Sequence, residues 1–443
     1  MGMTVEPAQA LEDRRTELAQ LSAVPRVQRK RARIDRMVPF DTEQGRQRLA
    51  ELLRTAVERV PYYRAFAGAG FADFPVMGKT ELRAHFADLI SRDPTGEIGN
   101  GRFFLNQTSG STGQPVRSLT TTSTGGMANA ALHERLNRQL GFPESGTVLN
   151  LGLLYPDTPL FEAVPLPRPY VKCNLRGFDP TSPSVVADYE AVVGRFPVDK
   201  ITGSSSRVIA LARYCAERGI RLRPHGVVAS YEHMPDSGRQ VVESTFGCRV
   251  TMLYMTSETG YSAWECPERR MHFQDDFVLP EFLNEEAGVS DIALSSLTST
   301  PMPILRYVTG DRAGPVVSCG CGLPGTAVES LLGRAKTGFV GLAGEIYAPW
   351  ALLAALSAAG LPDFQLVQEE AGWLDLVVPS AGPRPAEVLT DLNTRLRAAF
   401  QPREGFQLRV RAAGGFVLTD TGKRNPIVQR LALPAGPERS GYV

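Results

Sequence analysis

Thr108-Ser109-Gly110-Ser111-Thr112-Gly113-Gln114-Pro115 holds four hydroxyls, two glycines and a closing proline, with no long side chain before Gln114. Glycine lets the backbone approach an anion closely, and Ser/Thr hydroxyls with free N–H groups can wrap its oxygens. Upstream, Phe103-Phe104-Leu105 reads as the end of a strand, and a Met/Ala/Leu-rich helical pattern begins near Gly125. A hydroxyl- and glycine-rich turn between strand and helix is a phosphate-loop candidate. No lysine follows, so it is not the Gly-x-x-x-x-Gly-Lys-Ser/Thr form. Taken alone, the same composition equally suits a flexible polar linker.

The surrounding chain sets bounds. Its 443 residues exceed one ordinary domain and suggest two or three. Forty-eight basic against 47 acidic residues leave a net charge of +1, which points to neither nucleic acid nor a membrane as partner. No apolar run approaches the ~18 residues of a membrane span, and Met1 to Ala10 lacks a signal-peptide core. Six scattered cysteines do not make a disulfide framework. The expectation is a soluble cytoplasmic protein.

Residues 1–95 read as a mainly helical lead-in. Leu11, Leu18 and Leu21 share one helical face, as do Leu49, Leu52, Leu53 and Val57. Arg26, Arg29, Lys30, Arg31 and Arg33 read as a solvated face. From the hydroxyl-rich stretch to about residue 335, strand-like runs alternate with helical ones. Val148–Leu151, Lys200–Gly203, Val227–Ser230 and Val250–Tyr254 are the strands; Val185–Val193 and Val208–Glu217 are helical in pattern. This argues for a largely parallel α/β sheet, whose ligands gather at the carboxyl ends of its strands. After Gly333 the texture changes to two antiparallel strands (Phe364–Glu369, Trp373–Val378), a helix (Ala386–Phe400) and a strand from Gln407. The expected division is a large domain over 1–335 and a small mobile α+β domain over 336–443.

Thr-Ser-Gly-Ser-Thr-Gly-x-Pro resembles the nucleotide loop of the adenylate-forming superfamily of acyl-CoA synthetases, adenylation domains and luciferases, with the phenylacetate–CoA ligase branch nearest in form. Further motifs follow in that family's order. Tyr254-Met255-Thr256-Ser257-Glu258 resembles its Tyr-Gly-x-Ser/Thr-Glu segment. The resemblance puts Tyr254 at adenine, Ser257 at the α-phosphate and Glu258 at Mg²⁺, which prefers oxygen ligands; Met255 departs from the family's glycine. Arg306-Tyr307-Val308-Thr309-Gly310-Asp311 matches in full and implies Asp311 as the ribose ligand. Arg334 resembles an arginine that contacts ribose and phosphate, and Lys336 falls at the pivot between domains. Thr421-Gly422-Lys423 resembles the closing Gly-Lys motif, whose ammonium can bridge a carboxylate oxygen and the α-phosphate. Ser230, Tyr231 and Glu232 align loosely with the segment at the adenine edge. Gly152, Tyr155, Ser204 and Ser205 are pocket candidates by position in the family.

Cys266, His272, Cys319 and Cys321 make a structural zinc set in type and number, although Cys-x-Cys is tight for a finger. Similar Cys segments occur in the phenylacetate–CoA ligase branch; three ordinary reduced cysteines are the alternative.

The resemblance implies the following reaction. ATP·Mg²⁺ binds at Thr108, Ser109, Gly110, Ser111, Thr112 and Gly113 with the motif residues. An acid, aromatic by kinship, is converted to its acyl-adenylate with release of pyrophosphate, and the acyl group passes to CoA. An amine or carrier-protein acceptor, another oxyanion such as nitrite, and a non-catalytic nucleotide-binding scaffold stay open. The long N-terminal helices allow a homodimer.

Overall fold

The computed structural model describes residues 7–92, 103–107, 116–121, 125–152, 158–175, 193, 197–232, 234–286, 288–334, 339–341, 346–347, 364–379, 407–413, 416–417 and 427–431. The expected helix 386–400 and residues 185–192 of the expected helix 185–193 lie outside the described residues, as do Thr108–Gly113, Tyr155, Lys336 and Lys423.

The lead-in is helical, as its periodicity predicts: α1 (Pro7–Ala23), α2 (Pro25–Met37) and α3 (Thr42–Arg59), then a 3₁₀ turn (Pro61–Phe66) and the short α4 (Lys79–Ala84). Asp41 starts α3 by accepting hydrogen bonds from the N–H groups of Glu43 and Gln44 at 2.9 and 3.2 Å. Leu11 and Leu18 are buried, whereas Arg26, Arg29, Lys30 and Arg33 are exposed.

The hydroxyl-rich stretch sits in a different setting from the expected one. Strands β1 (Phe103–Gln107) and β2 (Arg117–Thr121) pair antiparallel, with Gln107 opposite Arg117, so the stretch joins the arms of a hairpin. Helix α5 (Gly125–Gln139) begins only after the second arm. The arm Arg-Ser-Leu-Thr-Thr has a single aliphatic residue, too weak a pattern to read as a strand.

Strands β3 (Gly146–Leu151), β4 (Phe161–Val164), β5 (Tyr170–Asn174), β6 (Lys200–Ser204), β7 (Gly226–Ser230), β8 (Val250–Thr256), β9 (Gly260–Glu265) and β10 (Met271–Phe273) enter one large sheet. Helices α6 (Ser205–Arg218) and α7 (Asp236–Phe246) connect β6 to β7 and β7 to β8. Both end on a left-handed glycine, Gly219 (φ 66°) and Gly247 (φ 69°). The parallel centre runs β5-β3-β6-β7-β8, with antiparallel strands outside it. β7 is buried along its whole length, as the continuous run Val227-Val228-Ala229 requires of a central parallel strand.

A four-stranded antiparallel sheet holds β11 (Val278–Glu286), β12 (Val289–Ser296), β13 (Tyr307–Ala313) and, after β14 (Ala327–Val328) at the edge of the large sheet, β15 (Leu331–Arg334). Leu52, Tyr63, Phe74 and Met77 of the lead-in pack with Leu297, Ile304 and Tyr307, so the N-terminal region backs the strand that carries Asp311. The short pair β16 (Phe339–Val340) and β17 (Ile346–Tyr347) follows. A further sheet contains the expected hairpin, β18 (Gln365–Glu370) and β19 (Trp373–Pro379), flanked by β20 (Gln407–Ala413) and β21 (Ile427–Gln429) running parallel to β19 and β18. Gln368 joins it to β16 by accepting from Val340 N and donating to Val340 O at 2.7 and 2.8 Å. Among the described residues no helix is long and apolar enough to cross a membrane.

Candidate active site

Two motifs distant in sequence interlock at the carboxyl end of β8. Tyr254 Oη lies 3.1 Å from both Asp311 Oδ2 and Thr309 Oγ1. Its single proton goes to the carboxylate, the stronger acceptor. Burial and then the Asp311 charge push the Tyr254 phenol well above its ordinary pKa, which keeps it a donor. One turn of chain further on, Tyr307 donates to Glu258 Oε1 at 2.7 Å. Tyr307 is fully buried and Glu258 nearly so, while Glu258 Oε2 makes no hydrogen bond among the described residues. One carboxylate oxygen is thereby fixed, and an uncommitted carboxylate oxygen is a group that could take a hard cation.

Gly310 (φ 83°) turns the backbone between Thr309 and Asp311, a conformation that suits glycine. Asp311 N–H then folds back to donate to Thr309 Oγ1 at 3.1 Å. Arg306, at φ 48°, has another task. Its guanidinium pairs with Glu281 at 3.0 Å and donates to the carbonyls of Ala72 and Phe74. Met255, which replaces a glycine in the resembling motif, sits in extended strand opposite Tyr261 beside a β-bulge and needs no left-handed conformation. Glycine is needed instead at Gly260 (φ 76°), where a Cβ would stand 2.3 Å from Asn129 Oδ1.

The second hairpin arm, β2, is fixed to this site although residues 108–115 lie outside the description. Ser118 on β2 donates to the carbonyl of Ser257 at 3.0 Å, and Ser299 donates to that of Leu119 at 3.3 Å. In the β13–β15 pair, Arg334 is the register partner of Asp311. Ser230 is buried at the end of β7, next to Leu253 of β8. Tyr231 follows at φ 70° and is 46% exposed. The Glu232 carboxylate accepts from Ser206 N at 3.0 Å, and its carbonyl accepts from Ser205 Oγ at 2.9 Å, so Glu232 caps α6. Gly152 joins the same neighbourhood: its carbonyl accepts from Arg207 Nη1 at 2.7 Å. Ser204 Oγ lies 3.4 Å from Ser206 Oγ. The sulfurs of Cys266, Cys319 and Cys321 and the His272 ring gather apart from these residues, with ligand atoms within 4.8 Å of one another.

Sequence reasoning passed over two features. Tyr307 was only a letter in a motif, although Tyr307, Thr309 and Asp311 at spacing two carry the signal of a shared strand face. Lys200 was an unremarked strand start. It is 1% exposed, with Nζ 2.6 Å from Asn137 Oδ1 and 3.0 Å from His133 Nε2. Burial lowers Lys200 to about 7, and burial followed by the Lys200 charge holds His133 well below its ordinary value. His133 and Asn137 at i and i+4 share a face of α5, which was readable; their partner 63 residues on was not.

No protein-family model matches the chain. A phenylacetate–coenzyme A ligase of Thermus thermophilus is 25% identical over 374 residues, spanning 74% of this chain and 78% of that one. A crystal structure of 2-hydroxyisobutyryl-CoA ligase in the postadenylation state, in complex with R3-HIB-AMP, superposes with a TM-score of 0.67 at 17% identity, covering 88% of this chain and 90% of that chain. The anthranilate CoA ligase in complex with anthranoyl-AMP gives 0.52 at 12% identity over 72% and 65%. The chain therefore has the adenylate-forming enzyme fold and is similar in sequence to phenylacetate–CoA ligase, as its motifs imply.

Proposed function

We propose that the protein is an ATP-dependent, AMP-forming acid–CoA ligase. The observation that supports this most is the double tie of Tyr254 to Asp311 and Tyr307 to Glu258, with Ser118, on the second arm of the hairpin that residues 108–115 join, bonded to the same strand end. In this reading Asp311 accepts the ribose hydroxyls and Tyr254 lines the base. Ser257 and the 108–113 hydroxyls take the phosphates, and Glu258 Oε2 holds Mg²⁺. Arg334 supports the ribose, and Ser230, Tyr231 and Glu232 border the base. A substrate carboxylate attacks the α-phosphorus in line; the acyl-adenylate forms as the bond to pyrophosphate breaks. Lys423 offsets the negative charge that develops on the transferring oxygens. The unit from 336 onwards then swings about Lys336, and a CoA thiol attacks the acyl carbon with AMP leaving.

The acid is aromatic in this proposal, in a pocket at Gly152, Tyr155, Ser204 and Ser205, and the N-terminal helices form a homodimer contact. A panel of acids assayed by pyrophosphate release, with and without CoA, tests the reading. An aromatic acid giving pyrophosphate and a CoA-dependent thioester supports it. Release that needs an amine or carrier protein, or nitrite-dependent AMP release, replaces the acceptor or the substrate. ATP binding without turnover of any acid leaves only a nucleotide-binding scaffold. Lys423→Ala is expected to cut ATP–pyrophosphate exchange by about 10²–10³-fold; exchange at the wild-type rate would remove Lys423 from the mechanism.

A further inference from the structure

We propose that Cys266, His272, Cys319 and Cys321 hold one zinc ion, and that this ion ties the connection between β13 and β15 to the edge of the large sheet. Cys266 Sγ and Cys319 Sγ are 3.6 Å apart, and Cys321 Sγ is 3.4 Å from His272 Nε2. A tetrahedral ion with bonds of about 2.3 Å to sulfur and about 2.0 Å to nitrogen requires S···S near 3.8 Å and S···N near 3.5 Å. These two pairs are thus close to the edge lengths of such a tetrahedron, all four ligand atoms lie within 4.8 Å of one another, and the free sulfurs of Cys266 and Cys319 are well beyond the ~2.05 Å of a disulfide.

The surroundings prepare each ligand. His272 Nδ1 donates to the carbonyl of Pro324 at 3.2 Å, which leaves the Nε2 lone pair facing the sulfurs. Cys266 Sγ accepts from the N–H groups of Glu268 and Arg270 at 3.3 and 3.4 Å, and Cys321 Sγ from that of Leu323 at 3.4 Å. Such outer hydrogen bonds hold ligating side chains in place. The turns need unusual backbone: Arg269 has φ 60° and Gly322 φ 78°. Cys319 also contacts Glu268 Oε2 at 3.4 Å; Glu268 is exposed and turns to water once the thiol is a thiolate. Three thiolates and one imidazole favour a soft tetrahedral ion over Mg²⁺ or Ca²⁺, and four protein ligands close the sphere, which marks a structural site.

The position gives the site its consequence. Cys266 directly follows β9, and His272 lies in β10 opposite Trp264 and Ala327. Cys319 and Cys321 lie in the connection that leaves β13 after Ala313 and returns as β15, where Arg334 is the register partner of Asp311. The ion fixes the middle of that connection, so it steadies the strand pair proposed to hold the ribose.

Elemental analysis of full-length protein purified without chelator is expected to give one zinc per chain. Stripping wild-type protein with a strong chelator should lower Tm and weaken ATP binding several-fold by calorimetry, with Zn²⁺ alone restoring both. Cys319→Ser/Cys321→Ser should lose the metal. Zinc-free protein after zinc-replete expression, iron in its place, full zinc retention by the double variant, or an intact mass showing a Cys266–Cys319 disulfide would each overturn the assignment. Metal loss with unchanged ATP affinity would overturn the tie to the ribose strand.

Discussion

The two ends of the parallel strands are both polar, and they differ in how far that polarity is shut away: Lys200, Asn137 and Glu134 are buried, whereas Tyr254 and Asp311 are partly exposed. At the amino ends, Lys200 Nζ bonds to both Asn137 and His133, and Asp199 accepts from Thr147 N at 2.7 Å. Nearby, the buried Glu134 pairs with Arg168 and Arg138 at 2.8 and 2.9 Å. At the carboxyl ends Tyr254, Glu258, Tyr307 and Asp311 also bond to one another, yet Glu258 Oε2 keeps acceptor capacity among the described residues. A buried polar cluster is therefore a poor sign of a site by itself. The informative feature is access: Glu134 Oε2 and Asn137 Nδ2 also lack a partner among the described residues, but they are sealed in the interior.

The contrast predicts graded outcomes. Asp311→Ala should weaken ATP binding by about 100-fold, the loss expected when a charged acceptor of two hydrogen bonds is removed, with Tm changed little. Isothermal calorimetry decides it; a large fall in Tm with unchanged ATP affinity would place Asp311 with the buried structural cluster. Lys200→Met should act on stability instead. Folding favours the neutral amine, so stability is full above the unfolded value near 10.5 and is lost as pH falls towards about 7. The difference in unfolding free energy between variant and wild type should thus grow by a few kcal/mol from pH 10 to pH 7 and level off below, with ATP–pyrophosphate exchange retained. Denaturant titrations across that range check it, and a flat difference would show an amine that folding leaves charged. The smallest effect is expected for Tyr254→Phe. Removing one hydrogen bond to Asp311 should cost about 1 kcal/mol, a several-fold rise in the Kd for ATP, while the ring goes on lining the base.

Much of this was legible in the chain because apolar runs and motif letters coincide. Val227–Ala229 and Val250–Leu253 read as buried strands, and Tyr254, Glu258 and Asp311 stand where those strands end. The hairpin was not legible, because β2 shows its partner only through backbone bonds and a polar sequence. The helix cap at Glu232 was hidden for another reason. A carboxylate 26 residues from the N–H it receives leaves no local pattern, so a capping group and a ligand look alike in sequence. The zinc set lay between these cases: residue types gave the chemistry, and only the fold could bring Cys266 within 3.6 Å of Cys319.

Arg306 carries a lesson for anyone choosing variants by motif alone. Its left-handed backbone and its grip on the 72 and 74 carbonyls make it a rivet between the N-terminal region and the Asp311 strand. Replacing it would silence the protein as thoroughly as removing a ligand, by letting a strand drift and without touching nucleotide. Loss of activity at a motif letter therefore separates architecture from chemistry only when thermal stability is measured beside it.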